Sequence, residues 1–265
     1  MQITPTYVKQ AYSLAWRFFS KNKMASFLAM ASIFALNVLS MIPLLGFLIA
    51  IFAGIVLFST QAYVAKTLMN SHSDEEYDEK VESTDVKSIL MDNLSIGAGG
   101  FLGFVVIEII MLILIFTVFA MSIGLEALST LNSADMTPEQ QMAIFQNIGI
   151  IGIIIAIVFM FLAYIYPIVL GKVYTSNDFG EAFSAIFTMF SPAVWKASLN
   201  GQYFLMVTML HLTGIGAMIL MAVSMMTIVL IPVAMFIFYL LILYATTTAV
   251  LSQEIVFNEV QTEEE

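Results

Sequence analysis

The chain has 265 residues, 60% of them hydrophobic and only 11% charged, with a mean hydropathy of +0.96. Soluble domains are about 45–50% apolar and about 25% charged, and one soluble core of this size does not hide so much apolar surface. An ordinary cytosolic enzyme, a DNA-binding module and a disordered chain are excluded, which leaves an integral membrane protein. A net charge of −10 argues against a nucleic-acid partner. The absence of cysteine rules out disulfides, thiolate catalysis and cysteine-held metals.

At about 20 apolar residues per crossing, the chain has room for roughly six spans. Residues 5–20 place Tyr7, Ala11, Leu14, Ala15, Phe18 and Phe19 at near-helical spacing, with Lys9, Gln10, Ser13 and Arg17 mostly elsewhere. That pattern predicts an interfacial amphipathic helix. The N-terminus lacks the short apolar core and small-residue cleavage site of a signal peptide, so the first span is expected to be a retained anchor. Residues 24–67 are about twice one span, and Ile42-Pro43 with Gly46 supplies a break. Span 1 is therefore expected at 24–42 and span 2 at 45–67, with a kinked re-entrant hairpin as the alternative.

Residues 70–88 are polar and strongly acidic and predict a solvated loop. Span 3 is expected at 97–122, opening on glycines. A polar stretch at 125–145 contains Thr137-Pro138-Glu139-Gln140, an N-cap pattern with proline at the first helical position. Span 4 follows at 148–170, ending near Pro167 and Gly171. A second interfacial helix is expected at 178–190, capped by Asp178, with Ala182, Phe183, Ile186, Phe187 and Phe190 at helical spacing. Spans 5 and 6 are expected at 202–223 and 227–251, with a blurred boundary. Residues 252–265 read as an acidic, flexible tail. The expected architecture is an all-α polytopic membrane bundle of about six spans with two interfacial amphipathic helices, forming one membrane domain.

The nine basic residues orient it. Lys9, Arg17, Lys21, Lys23, Lys66, Lys80, Lys87, Lys172 and Lys196 all fall on one side of a six-span layout with an inside N-terminus. The positive-inside rule then predicts an inner-membrane protein with both termini cytoplasmic. Trp16 and Trp195 each precede a span by a few residues, as interfacial tryptophans do.

Residues 11–20, AYSLAWRFFS, also align with 182–191, AFSAIFTMFS, and Ile42-Pro43 with Phe47 matches Ile231-Pro232 with Phe236. Internal duplication and chance matching of apolar sequence are both open. The run FGEAFSAIFTMFSP (179–192), a span pair carrying Ile231-Pro232, and FYLLILYATTTAVLSQE (238–254) resemble the YciC-like inner-membrane families. These include the membrane domain attached to some glycerophosphodiester phosphodiesterases. The resemblance implies a six-span helical fold and a non-catalytic membrane role. It carries over no functional residues, and the acidic segment 70–88 has no counterpart in it.

Few residues invite a functional reading. Glu108 lies inside span 3, where an ionisable group costs a few kcal/mol or more unless it faces a partner or water. It reads either as a proton or cation relay, or as a glutamate near one interface or protonated against a neighbouring helix. His211 in span 5 is a candidate to share its proton, or else makes a helix–helix hydrogen bond, the reading also given to Asn37 in span 1. Gly99 with Gly103, and Gly214 with Gly216 and Ala217, are small-residue patches for close packing within one chain or in an oligomer. Asp74, Glu75, Glu76, Asp78 and Glu79, with His72 nearby, offer oxygen ligands for a divalent cation or a dock for a basic protein partner. They lack the spacing and glycine of an EF-hand, and a solvated face is the plainer reading. The methionines of 206–226 sit among Leu, Ile and Val and read as packing rather than copper ligands. HExxH, GxSxG and phosphate-loop motifs are absent, so no catalytic residue, metal or cofactor is expected. The acidic segment and acidic tail mark a scaffold or accessory subunit. A small transporter or channel using Glu108, Asn37 and His211 is the alternative.

Overall fold

The structure, a computed structural model, describes residues 6–123 and 138–263. Among them there is no strand. The helices are α1 (Thr6–Lys21), α2 (Lys23–Leu39), α3 (Gly46–Met69), α4 (Asp74–Glu82), α5 (Val86–Met91) and α6 (Leu94–Ile123). After the undescribed residues come α7 (Pro138–Thr175), α8 (Phe179–Ala185), α9 (Pro192–Ser198), α10 (Gly201–Ser224) and α11 (Ile231–Glu263). A 3-10 turn, Ile186–Phe190, extends α8, and another, Ile228–Leu230, precedes α11. Helices α3, α6, α7, α10 and α11 are each long and apolar enough to cross a membrane. Helices α1 and α2 pass that test only as a pair bent by 98°. The protein is thus a polytopic helical membrane bundle, with five span-length apolar helices and one bent pair among the described residues.

Several boundaries move from their expected places. Helix α2 has 17 residues, about 26 Å at 1.5 Å per residue, against the about 30 Å of a hydrocarbon core. It ends in a turn containing Ile42 and Pro43, where Leu44 takes φ 70° and is fully exposed. Gly46 restarts the chain because a Cβ there would lie 2.1 Å from the Ser40 carbonyl oxygen. Pro167 and Gly171 do not end span 4, since α7 runs through both to Thr175. The acidic segment 70–88 is largely helical, not an open loop. Helix α11 continues through most of the expected tail to Glu263. The two Ile-Pro pairs differ in setting: Ile42-Pro43 sits in a turn, Ile231-Pro232 opens a helix. The start of α7 at Pro138 fits the expected cap pattern; Thr137 and the rest of 124–137 lie outside the described residues.

The chain separates into two compact units. Residues 104–164 form one, made of the later part of α6 and the earlier part of α7. Leu112, Ile113, Phe116, Ile153 and Met160 are among its exposed side chains, an apolar surface suited to lipid. Residues 1–103 and 165–265 form the other. There α1 runs antiparallel to α11: Ala11 meets Thr247, Tyr12 stacks on Tyr244, and Phe19 meets Phe236 edge-on. The amphipathic pattern of α1 explains this, since Val8, Ala11, Leu14, Ala15, Phe18 and Phe19 form its buried stripe. Glycines let backbones approach where no side chain fits. A Cβ on Gly97 would lie 2.4 Å from Ile55 O of α3, and one on Gly171 would lie 2.4 Å from Ala249 O of α11.

Candidate functional site

The densest polar arrangement joins α1 to α4. Ser73 caps α4, its hydroxyl accepting from the Glu76 amide at 3.1 Å, and Glu76 in turn accepts from the His72 amide at 2.7 Å. Asp74, Glu75 and Glu76 fill the first turn, where the helix dipole favours negative charge. One α4 face is apolar: Tyr77 and Val81 are buried, and the Tyr77 hydroxyl donates to Leu14 O of α1 at 3.2 Å. Arg17 clamps the helix alongside. Its guanidinium pairs with Asp74 at 2.6 Å and Asp78 at 2.9 Å, donates to Asp74 O at 2.7 Å, and lies 5.7 Å from the Tyr77 ring centroid. Lys21, one turn on, pairs with Asp78 at 3.0 Å and Glu82 at 3.2 Å.

Asn22 closes the platform at the bend between α1 and α2. Its side-chain oxygen accepts from the Ala25 amide at 3.1 Å and so caps α2. Its Nδ2 donates to Val81 O at 3.0 Å and Thr84 O at 2.6 Å, holding the end of α4. Thr84 also bonds Tyr63 of α3 at 2.7 Å. Lys80 pairs with Glu76 at 2.6 Å and donates to Asn70 O.

The electrostatics follow from these contacts. Burial pulls the Asp78 carboxyl upward, but Lys21 and Arg17 outweigh it and hold Asp78 below its ordinary value. Lys80 and the His72 amide hold Glu76 low in the same way. Burial raises the Tyr77 phenol. A carboxylate with a lowered folded pKa stabilises fully above its unfolded value, about 3.9 for Asp, and loses that contribution as pH falls through the folded value. The attachment of α4 to α1 is therefore expected to be intact at neutral pH and to weaken below about pH 4. Hydrogen exchange of the Tyr77–Val81 amides should accelerate there in the parent protein. In Asp78→Asn they should already exchange faster at neutral pH.

This settles what the acidic residues touch. Asp74 and Asp78 are ion-paired to Arg17, and Glu76 to Lys80. Glu75 and Glu79, one turn apart and both exposed, make no ion pair among the described residues. No group of three or more His, Asp or Glu among the described residues is arranged to hold a metal.

The polar residues of the apolar helices are not brought together as a relay would need. Asn37 donates to Ile33 O of its own helix at 2.8 Å. His211 Nδ1 donates to Val207 O of its own helix at 2.7 Å. Neither reaches the neighbouring helix as interhelical glue through these bonds. Both are exposed, and such back-bonding satisfies a polar group that faces lipid. Glu108 is exposed on α6 within the 104–164 unit.

The glycine patches divide sharply. Gly99 and Gly103 face the second amphipathic segment, where a Cβ would lie 2.3 Å from Phe179 O and 2.9 Å from Ile186 Cγ1 respectively. That segment is capped by Asp178 as expected, its carboxylate accepting from the Glu181 amide at 2.9 Å. Gly214 and Gly216 meet nothing within 4 Å. Sequence reasoning missed Arg17, Lys21 and Asn22 as partners of α4, because the pairings span 57 to 62 positions of chain. The only signal was two α1 cations one turn apart, matched by acids at 74, 78 and 82 with the same period.

Comparison with protein-family models, with characterised proteins and with solved structures finds no match for this chain.

Proposed function

We propose that this is a non-enzymatic inner-membrane protein that serves as a scaffold or accessory subunit of a membrane complex. The observation that carries the reading is the docked acidic helix. Arg17, Lys21 and Asn22 fix one side of α4, and this presents Glu75 and Glu79 outward on an ordered surface. A basic protein partner fits such a surface. The resemblance of 179–254 to YciC-like families points the same way. The transporter reading needs polar groups converging on one cavity. Asn37 and His211 are instead each bonded within their own helix.

The test is purification of the native protein from its own membrane in mild detergent. A stoichiometric basic partner is expected, and Glu75→Lys with Glu79→Lys should release it while the purified protein keeps its thermal stability. A single uncomplexed species would overturn the proposal.

Orientation is proposed from the basic residues. Within the larger unit, α1, α4, the end of α7 at Thr175 and α11 near Gln253 are linked by direct contacts. A cytoplasmic N-terminus, acidic segment and C-terminus fit one face of the membrane. The chain has no cysteine, so single replacements need no background removal. Glu75→Cys and Val260→Cys are expected to react with an impermeant maleimide only after the cytoplasmic side is opened. Labelling in intact cells would reverse the orientation.

A further inference from the structure

A groove of about 250 Å³ lies where α1 crosses the α10–α11 pair. Its walls are Trp16 of α1 and Ile237, Leu240 and Leu241 of α11, and its floor is opened by the small side chains of Ala15 and Ala217. Small-molecule sites run to about 300–1,000 Å³, so this one has room for a hydrocarbon chain but not for a bulky polar ligand. Two of the hydroxyls on its lining, those of Tyr12 and Thr213, already pair with each other. The Tyr12 ring stacks on Tyr244 at 4.0 Å, its hydroxyl bonds that of Thr213, and Thr213 donates onward to Met209 O at 2.7 Å. The lining is otherwise mostly apolar, which suits a hydrocarbon occupant.

It does meet a charge at the rim. Lys9, Tyr12, Ser13 and Trp16 share one α1 face at spacings of three, four and seven residues. Lys9 is exposed and makes no ion pair among the described residues. The other two cations of α1, Arg17 and Lys21, are committed to α4. Two helical turns, about 10 Å, separate Lys9 from Trp16, so an anion at Lys9 leaves its tail running past Tyr12 toward Ala217. The α10 and α11 sides of the groove belong to helices long and apolar enough to cross a membrane, and the half-exposed Trp16 of α1 borders its open side, which fits an opening toward lipid.

We propose that this groove holds one acyl chain of an anionic phospholipid whose phosphate pairs with Lys9. The site stands apart from the acidic platform and does not depend on the scaffold reading. Charge complementarity selects the headgroup, and the mostly apolar lining selects a hydrocarbon tail.

Trp16 reports on its own neighbour. The full-length protein is reconstituted into vesicles of phosphatidylcholine containing a minor fraction of lipid brominated on the acyl chain, either phosphatidylglycerol or phosphatidylcholine. Trp195, the only other tryptophan, is removed as Trp195→Phe, or its share is subtracted with Trp16→Phe in the parent. Brominated phosphatidylglycerol is expected to quench Trp16 at about fivefold lower mole fraction than brominated phosphatidylcholine, the preference one basic residue near the membrane surface confers. Lys9→Gln should abolish that preference, and Ala217→Phe should remove most quenching by both lipids. Should Ala217→Phe fail to fold, unbrominated phosphatidylglycerol must relieve the quenching at mole fractions where added phosphatidylcholine does not. Equal quenching by the two lipids in the parent protein, or a preference surviving Lys9→Gln, overturns the anionic-lipid assignment. Undiminished quenching in a folded Ala217→Phe overturns occupancy of the groove.

Discussion

Replacing Asn22 with alanine is expected to destabilise the larger unit by about 2–3 kcal/mol, combining a lost helix cap with two carbonyls left short of a donor. The side chain serves both sides of the 98° bend at once. Its oxygen caps α2 through the Ala25 amide, and its Nδ2 reaches Val81 O and Thr84 O of the acidic segment. Val81 is fully buried and Thr84 nearly so, so water does not freely replace the lost donor. Serine separates the two roles. Asn22→Ser retains a capping hydroxyl but lacks the amide donor, and should recover about 1 kcal/mol. The check is unfolding of the purified protein in mixed micelles, with hydrogen exchange across 74–84 as the local readout. Asn22→Ser matching the parent would mean that the clamp on α4 contributes nothing.

The ion pairs beside Asn22 are expected to matter less singly. Partly exposed pairs contribute about 0–1 kcal/mol each. Arg17 and Asp78 are both about one-fifth exposed and share a network, so their coupling belongs at the upper end of that range. What Asn22 holds by fixed geometry, Arg17 and Lys21 hold by charge. Only the second part is sensitive to pH and salt.

Spans were legible in the sequence where one physical term dominates. Apolar length alone located α6, α7, α10 and α11, because each crossing must satisfy its own backbone in lipid. The Asp178 cap was legible for the same reason of locality, being set by residues three apart. The docking of α4 was not legible. Its acids read as a solvated loop by composition, and the cations that neutralise them lie on another helix about 60 positions away. Pro167 misled in a related way. A proline commonly ends a helix in water, but α7 continues through it to Thr175, where Gly171 packs on α11 and Thr175 bonds Gln253. Asn37 and His211 were read as partners for other helices, and each is satisfied by the carbonyl four residues earlier instead. Locally made bonds and distant ones leave the same trace in composition.

The glycines give the sharpest contrast, because two patches that read alike in sequence sit in opposite surroundings. Gly99→Ala is expected to cost about 2–3 kcal/mol, near the upper end of overpacking penalties. The obstacle is the Phe179 carbonyl oxygen at 2.3 Å, part of the backbone that opens α8, so relief requires moving the whole amphipathic segment. Gly103→Ala meets the Ile186 side chain at 2.9 Å and the Phe183 carbonyl at 3.0 Å, and a rotamer change relieves the first of these. Its cost should be smaller, about 1 kcal/mol. Gly214→Ala meets open space and should fall within about 0.5 kcal/mol of the parent, as surface changes do. Measured together by unfolding in mixed micelles, the three rank the close approach of α6 to α8 against an empty face of α10. A stability loss in Gly214→Ala as large as in Gly99→Ala would contradict this placement. A change in particle mass by light scattering in Gly214→Ala alone would instead place that face between two copies of the chain. In that event the GxxxG pair of α6 folds the protomer and the small-residue patch of α10 assembles it.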